Sequence, residues 1–146
     1  MRIQIINGPN LNLLGKREPG IYGNNSFEEF LTVLKAKYPA VELHYFQSNV
    51  EGELINCLHE CGFASGGKAI DAIIFNPGGY AHTSVAIADA VAAIETPVFE
   101  VHISNVYSRE EFRKSMITAA KTKGIITGFG LNSYALTIDY ILNYSK

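Results

Sequence analysis

A chain of 146 residues, 47% hydrophobic and 18% charged, is long enough to bury one full core and has the composition of a globular domain. Its net charge of −2 offers no basic field for nucleic acid or acidic membrane surfaces, which leaves a small molecule as the expected partner. Met1-Arg2-Ile3-Gln4 opens a strand and not a signal peptide, no apolar run approaches a membrane span, and the expected location is cytoplasmic.

Arg2–Asn7 is the first of five apolar, β-branched-rich runs that read as strands. It leads into a long stretch, Asn7-Gly8-Pro9-Asn10 through Tyr22-Gly23, which carries amides, a guanidinium and a phenol among four glycines and two prolines. A connection of that length inside a compact domain is usually a binding loop, and Gly15, Gly20 and Gly23 make residues 13–24 a predicted lid. Ser26-Phe27-Glu28-Glu29 is a capping box opening a helix that stops before Pro39. The strand Val41–Gln47 follows, then a helix over Glu51–Glu60 that closes at Gly62. Cys57 and Cys61, four apart on that helix, fit neither a disulfide framework nor a zinc pattern and read as small packed side chains. Next come the strand Ile70–Asn76, a helix Thr83–Ile94 that closes before Thr96-Pro97, and the strand Val98–Ile103. Ser108-Arg109-Glu110-Glu111 forms a second capping box that predicts a helix to about Lys123-Gly124, before the strand Ile125–Gly128 and a helix Asn132–Tyr144.

Strict β/α alternation with nearly continuous apolar strands predicts an α/β fold: one domain over 1–146, a flavodoxin-like three-layer sandwich whose five-stranded parallel sheet runs in the order 2-1-3-4-5. Ligands of such sheets sit beyond the carboxyl ends of the strands, between the first and third. Polar and glycine-rich residues collect there: Asn7-Gly8-Pro9-Asn10, Gln47-Ser48-Asn49, Asn76-Pro77-Gly78-Gly79-Tyr80-Ala81-His82-Thr83-Ser84, and Glu100-Val101-His102-Ile103-Ser104-Asn105.

Glu100 and His102 are two apart on a strand and face one side of the sheet. A carboxylate beside an imidazole favours its charged form and fixes its tautomer, which suits a general acid near neutral pH. The plain alternative is an ordinary charged pair, although Ser104 and Asn105 extend the same polar corner. His82 precedes a helix start, where backbone N–H groups suit an anion or hydroxyl, or where it is simply a neighbour of the cap. Arg17 and Tyr22 lie on the long loop. A free phenol is about one part in a thousand ionised at pH 7, and lowering its pKa by two units needs roughly 2.7 kcal/mol, which a desolvated guanidinium nearby can supply. A solvated Lys16-Arg17-Glu18 surface run is the competing reading. Arg109 and Arg113, four apart on the predicted helix, offer a clamp for hydroxyls or a carboxylate.

The phosphate-loop, dinucleotide and nucleophile-elbow motifs are absent from the sequence. His44, His59, His82 and His102 fall on different elements without ligand spacing, so no metal is expected.

These motifs, together with Arg17-Glu18-Pro19, Glu51-Gly52 and Arg109-Glu110, closely resemble type II 3-dehydroquinate dehydratases, in the right order over nearly the whole chain. The resemblance implies a flavodoxin-like hydro-lyase of the shikimate pathway that needs no cofactor or metal and takes 3-dehydroquinate to 3-dehydroshikimate plus water by anti elimination. The same reaction in quinate catabolism is the alternative. It implies that Tyr22 takes the C2 proton as phenolate, that Arg17 lowers the Tyr22 pKa, that Asn10 holds the enolate oxygen, and that His102, oriented by Glu100, protonates the leaving C1 hydroxyl. Asn76, His82 and Arg113 are then the grip on the ring hydroxyls and Ile103 and Ser104 the carboxylate site. Asp89 reaches the site from a neighbouring subunit of a homo-oligomer, a dodecamer built from trimers. Two departures stand out: Lys114-Ser115-Met116 where the family usually has His-His-Ser, and Ser133-Tyr134 in place of Gly-Tyr.

Other functions of the same fold fit less well. A phospho-receiver needs acidic residues where this chain has Asn7, Asn10 and Asn76, a flavodoxin needs a Ser/Thr-rich phosphate loop after the first strand, and neither Lys16 nor Lys68 ends an apolar strand as a Schiff-base lysine would.

Overall fold

The computed structural model describes residues 1–16, 20, 24–63 and 69–144. Five strands, β1 (Arg2–Asn7), β2 (Glu42–Gln47), β3 (Ala72–Asn76), β4 (Val98–His102) and β5 (Gly124–Thr127), pair in parallel in the order β2-β1-β3-β4-β5. The three inner strands are buried almost throughout because helices cover both faces. One face carries Ile3, Ile5, Ile74, Phe99 and Val101 under α1 (Phe27–Lys37) and α4 (Asn132–Tyr144). The other carries Ile6, Ile73, Phe75 and Val98 under α2 (Glu51–Gly62) and α3 (Val85–Ala93). Each such side chain stabilises the fold by about 1.5–3 kcal/mol through burial.

Side-chain alternation along the strands then decides where the polar residues point. Glu100 and His102 share the parity of Val98 and lie on the α2/α3 side, whereas Asn7 and Asn76 share that of Ile5 and Ile74 and lie on the α1/α4 side. The register sets Gln47, Asn7 and Asn76 level at the carboxyl edge, so the polar ends of β2, β1 and β3 form one rim.

The sequence-predicted elements match closely, with one exception. At α1 both arms of the capping box form: Ser26 Oγ accepts from Glu29 N at 3.2 Å and Ser26 N donates to Glu29 Oε2 at 3.0 Å. α3 starts at Val85 and not Thr83, because Ser84 is its N-cap and accepts from Ile87 N at 2.9 Å.

The helix predicted from Ser108 to Lys123 does not form. Its place is taken by 3-10 turns at Val106–Ser108, Glu111–Lys114 and Ala119–Lys121, and Arg109 and Arg113 therefore do not share a helix. Ser108 Oγ donates to Asn105 O at 2.8 Å and caps nothing further on. Partners elsewhere in the fold outcompete the helix: Ile117 N donates to Ala81 O at 2.9 Å, the Ser115 carbonyl lies 2.9 Å from His82 Nδ1, and Thr118 donates to Glu100 Oε2 at 2.7 Å. The segment becomes a strap lying across the carboxyl ends of β3 and β4.

Candidate active site

At the crossover between β1 and β3 the two loops that follow these strands touch. Gly8 N donates to Asn76 O at 2.8 Å, and a Cβ on Gly8 would lie 2.6 Å from Pro77 O, so only glycine permits this approach. Gln47 Nε2 donates to Gly8 O at 3.2 Å and to Asn49 Oδ1 at 3.1 Å, and Asn49 Oδ1 also accepts from Asn10 N at 2.9 Å. The end of β2 thus braces the first loop and holds Asn10 in the left-handed region at φ 69°, which asparagine tolerates better than most residues. Further on, Gly15 has φ +84°, and a Cβ there would come within 2.8 Å of Asn24 O and 3.0 Å of Ser26 N. The chain entering the long loop at Gly15 therefore runs directly against the chain leaving it at Asn24.

Above this floor lies an open cleft of about 690 Å³, counting the solvent in its mouth. Asn10, Asn76, His82, His102, Ile103, Ser104 and Arg113 all line it, and so does Arg109. No described lining residue is acidic, and the two lining arginines both reach Glu110, Arg113 at 2.7 Å and Arg109 at 3.7 Å.

The two imidazoles face one another with centroids 6.4 Å apart and planes 29° apart. His102 Nε2 lies 2.7 Å from Glu100 Oε1, with Glu100 wholly buried and His102 nearly so. A carboxylate only accepts, so Nε2 carries hydrogen and Nδ1 is the nitrogen left for a ligand. By the same logic His82 donates from Nδ1 to the Ser115 carbonyl, and its Nε2 is left over. Asn76 is held from both ends: its Oδ1 accepts from Gly78 N at 3.1 Å and its Nδ2 donates to Tyr134 Oη at 3.1 Å. Ser104 Oγ accepts from Arg109 Nη1 at 3.3 Å. Arg113 donates from Nε to Glu110 Oε2 at 2.7 Å and stacks on Phe112 at 5.1 Å. The Glu110 backbone N–H and then Arg113 hold the Glu110 carboxyl below the usual carboxylate range.

Of the remaining sequence-predicted residues, Arg17 and Tyr22 lie outside the described residues, as do 17–19 and 21–23 of the predicted lid. Asp89 is exposed on α3 and does not line this chain's cleft. The inner side of α3 is apolar, with Ile87, Ala88, Ala90 and Val91 buried, and exposed neighbours of Asp89 include Val85, Ala86, Ala92 and Ala93. Two residues that local spacing does not flag, Thr118 and Tyr134, support site residues from 18 and 58 positions away in sequence. Among the described residues no group of three or more His, Cys, Asp or Glu could hold a metal ion, and no helix is long and apolar enough to cross a membrane.

A family model described as Dehydroquinase class II matches residues 1–142. The chain is 48% identical over 143 residues to a 3-dehydroquinate dehydratase of Clostridium botulinum (strain Okra / Type B1), covering 97% of this chain and 94% of that protein. It is 51% identical over 136 residues to one from Aliarcobacter butzleri (strain RM4018), covering 92% of this chain and 80% of that protein. Its fold superposes on the crystal structure of a type II dehydroquinase from Butyrivibrio crossotus with a TM-score of 0.91 at 42% identity, covering 98% of both chains. With a five-stranded sheet in this order and a family match over almost its full length, the chain belongs to the dehydroquinase class II family.

Proposed function

We propose that this hydro-lyase of the dehydroquinase class II family converts 3-dehydroquinate to 3-dehydroshikimate and water by anti elimination through an enolate. The observation that carries the reading is the buried Glu100–His102 pair at 2.7 Å, which leaves His102 Nδ1 for a proton transfer in a cleft lined by cations. Tyr22, as phenolate beside Arg17, removes the C2 proton. The electrons move into the C3 carbonyl, whose developing negative oxygen Asn10 stabilises directly or through water. The enolate then reforms the carbonyl and expels the C1 hydroxyl, which takes its proton from His102 and leaves as water. The base and the acid have opposite protonation demands and come from stretches far apart in sequence, and each such group is worth about 10²–10⁴ in rate.

Asn76, His82 and Arg113 grip the ring hydroxyls, and Ile103 and Ser104 take the carboxylate. Asp89 completes the site from a neighbouring subunit in an assembly of trimers grouped as a dodecamer. No cofactor or metal is needed. A cytoplasmic place in the shikimate pathway completes the proposal, with quinate breakdown as the alternative use of the same reaction. The test is a spectrophotometric assay of purified protein with 3-dehydroquinate, following the conjugated enone of the product. Absence of enone, or activity abolished by EDTA and restored by a metal, overturns it. Gene deletion separates the two uses: a requirement for aromatic amino acids marks the first, and loss of growth on quinate alone marks the second.

A further inference from the structure

Between Tyr107 and Asn132 one residue alone is buried, and it is polar: Thr118, at 0% exposure. Apolar neighbours on the same strap stay outside, Phe112 at 60% exposure among them. Burying a hydroxyl is unfavourable unless it is hydrogen-bonded, so its partner explains its position. That partner is Glu100, also at 0% exposure, whose Oε2 accepts from Thr118 Oγ1 at 2.7 Å while Oε1 accepts from His102 Nε2 at 2.7 Å. The strap is tethered one residue earlier, where Ile117 N donates to Ala81 O.

The carboxylate's last torsion is broad, so a single hydrogen bond from His102 would let carboxylate and imidazole turn together. A second donor on the other oxygen removes that freedom and satisfies the remaining acceptor of a fully buried side chain. We infer that Thr118 is a positioning residue for the proton donor, its hydroxyl fixing the Glu100 carboxylate so that His102 is held with Nδ1 toward the substrate. This rests on the reading of His102 as the general acid. Thr118 touches no substrate; it acts through Glu100 upon His102.

Thr118→Val keeps the shape and removes the donor. Its kcat is expected to fall about tenfold or more, the scale of losing a hydrogen bond to a charged group, while KM stays within about twofold. Thr118→Ser restores the donor and most of kcat. In a double-mutant cycle Glu100→Gln/Thr118→Val has the same kcat as Glu100→Gln alone. In the ligand-free protein the His102 Nε2–H NMR resonance is expected to be sharp for wild type and Thr118→Ser and broadened for Thr118→Val. Wild-type kcat in Thr118→Val, equal loss in Thr118→Ser, or losses that multiply with Glu100→Gln each overturn the inference. If Thr118→Val fails to fold, Thr118→Cys replaces it with the same expected order, Ser above Cys. His102→Ala at wild-type kcat removes the general-acid reading itself, whereas an inactive His102→Ala beside a fully active Thr118→Val removes Thr118 alone.

Discussion

Tyr134 donates its phenolic hydrogen to Asn7 Oδ1 at 2.8 Å, joining the last helix to the first strand across 127 residues of chain. The phenolic oxygen in turn accepts from Asn76 Nδ2, so one fully buried hydroxyl ties the fold together and aims an amide that lines the cleft. Burial pushes the Tyr134 phenol well above its usual range, which keeps it a donor at every physiological pH. Tyr134→Phe leaves both asparagines short of a partner. It is expected to lower stability by about 1–3 kcal/mol in urea or guanidinium unfolding and to raise KM several-fold, with a smaller change in kcat.

The acid and base assignments are tested by Tyr22→Phe and His102→Ala. Each is expected to reduce kcat by at least about 10²-fold in steady-state assays, the lower end for removing a general acid or base. Near-normal turnover in either variant would remove that residue's role and leave the other standing.

Glycine at position 15 carries a testable consequence for the loop. Gly15→Ala forces a Cβ into the left-handed region and against the Asn24 carbonyl, so thermal unfolding is expected to show a loss of about 1–3 kcal/mol. Because the predicted lid begins there, hydrogen exchange across 13–24 is expected to slow when a substrate analogue binds. Exchange unchanged by the analogue would count against closure over the substrate.

Asp89 stands exposed beside Val85, itself 64% exposed, on a helix whose outer side is otherwise largely alanine. A second copy of the chain laid on that face would bury apolar surface, and the cation expected to meet Asp89 there is the neighbour's Arg17. Asp89→Ala and Arg17→Ala proteins are expected to be weakly active alone and to regain partial activity when their subunits are mixed, since some interfaces then hold both groups. A fully active monomer on sedimentation, or no recovery on mixing, would sink the shared site.

Alkaline pH is expected to weaken the fold through Tyr45, whose pKa burial raises from 10.0 to about 12. The unfolded chain releases that proton near 10 and the folded chain near 12, so in this window the unfolded state binds fewer protons and stability falls as pH rises. Below pH 10 the residue contributes no slope. Denaturant midpoints measured from pH 9 upward should show the decline, and Tyr45→Phe should make it shallower without abolishing it, because burial also raises the Tyr134 phenol.

Much of the fold was legible because its signals are local. The run Arg2–Asn7, the box at Ser26 and Glu29, and the final helix from Asn132 to Tyr144 each keep their sequence-predicted bounds. The box at Ser108 is locally as good and does not open a helix, because that helix competes with hydrogen bonds that Ile117, Thr118 and the Ser115 carbonyl make with groups distant in sequence. Glu100 and His102 could be placed on one face from a two-residue period alone. Thr118 and Tyr134 could not be found that way, since what makes them matter is a partner on another element and no spacing within their own.

The contact between Gly15 and Asn24 gives the protein a modular quality. The two ends of the interval 16–23 are held together at one spot, so the cost of joining them is set mainly by that neck and hardly by the length between. Doubling a flexible loop adds only about 0.6 kcal/mol of closure entropy. Changes of length in that interval should therefore cost the sheet little, whereas turnover should respond to them through the proposed Arg17 and Tyr22.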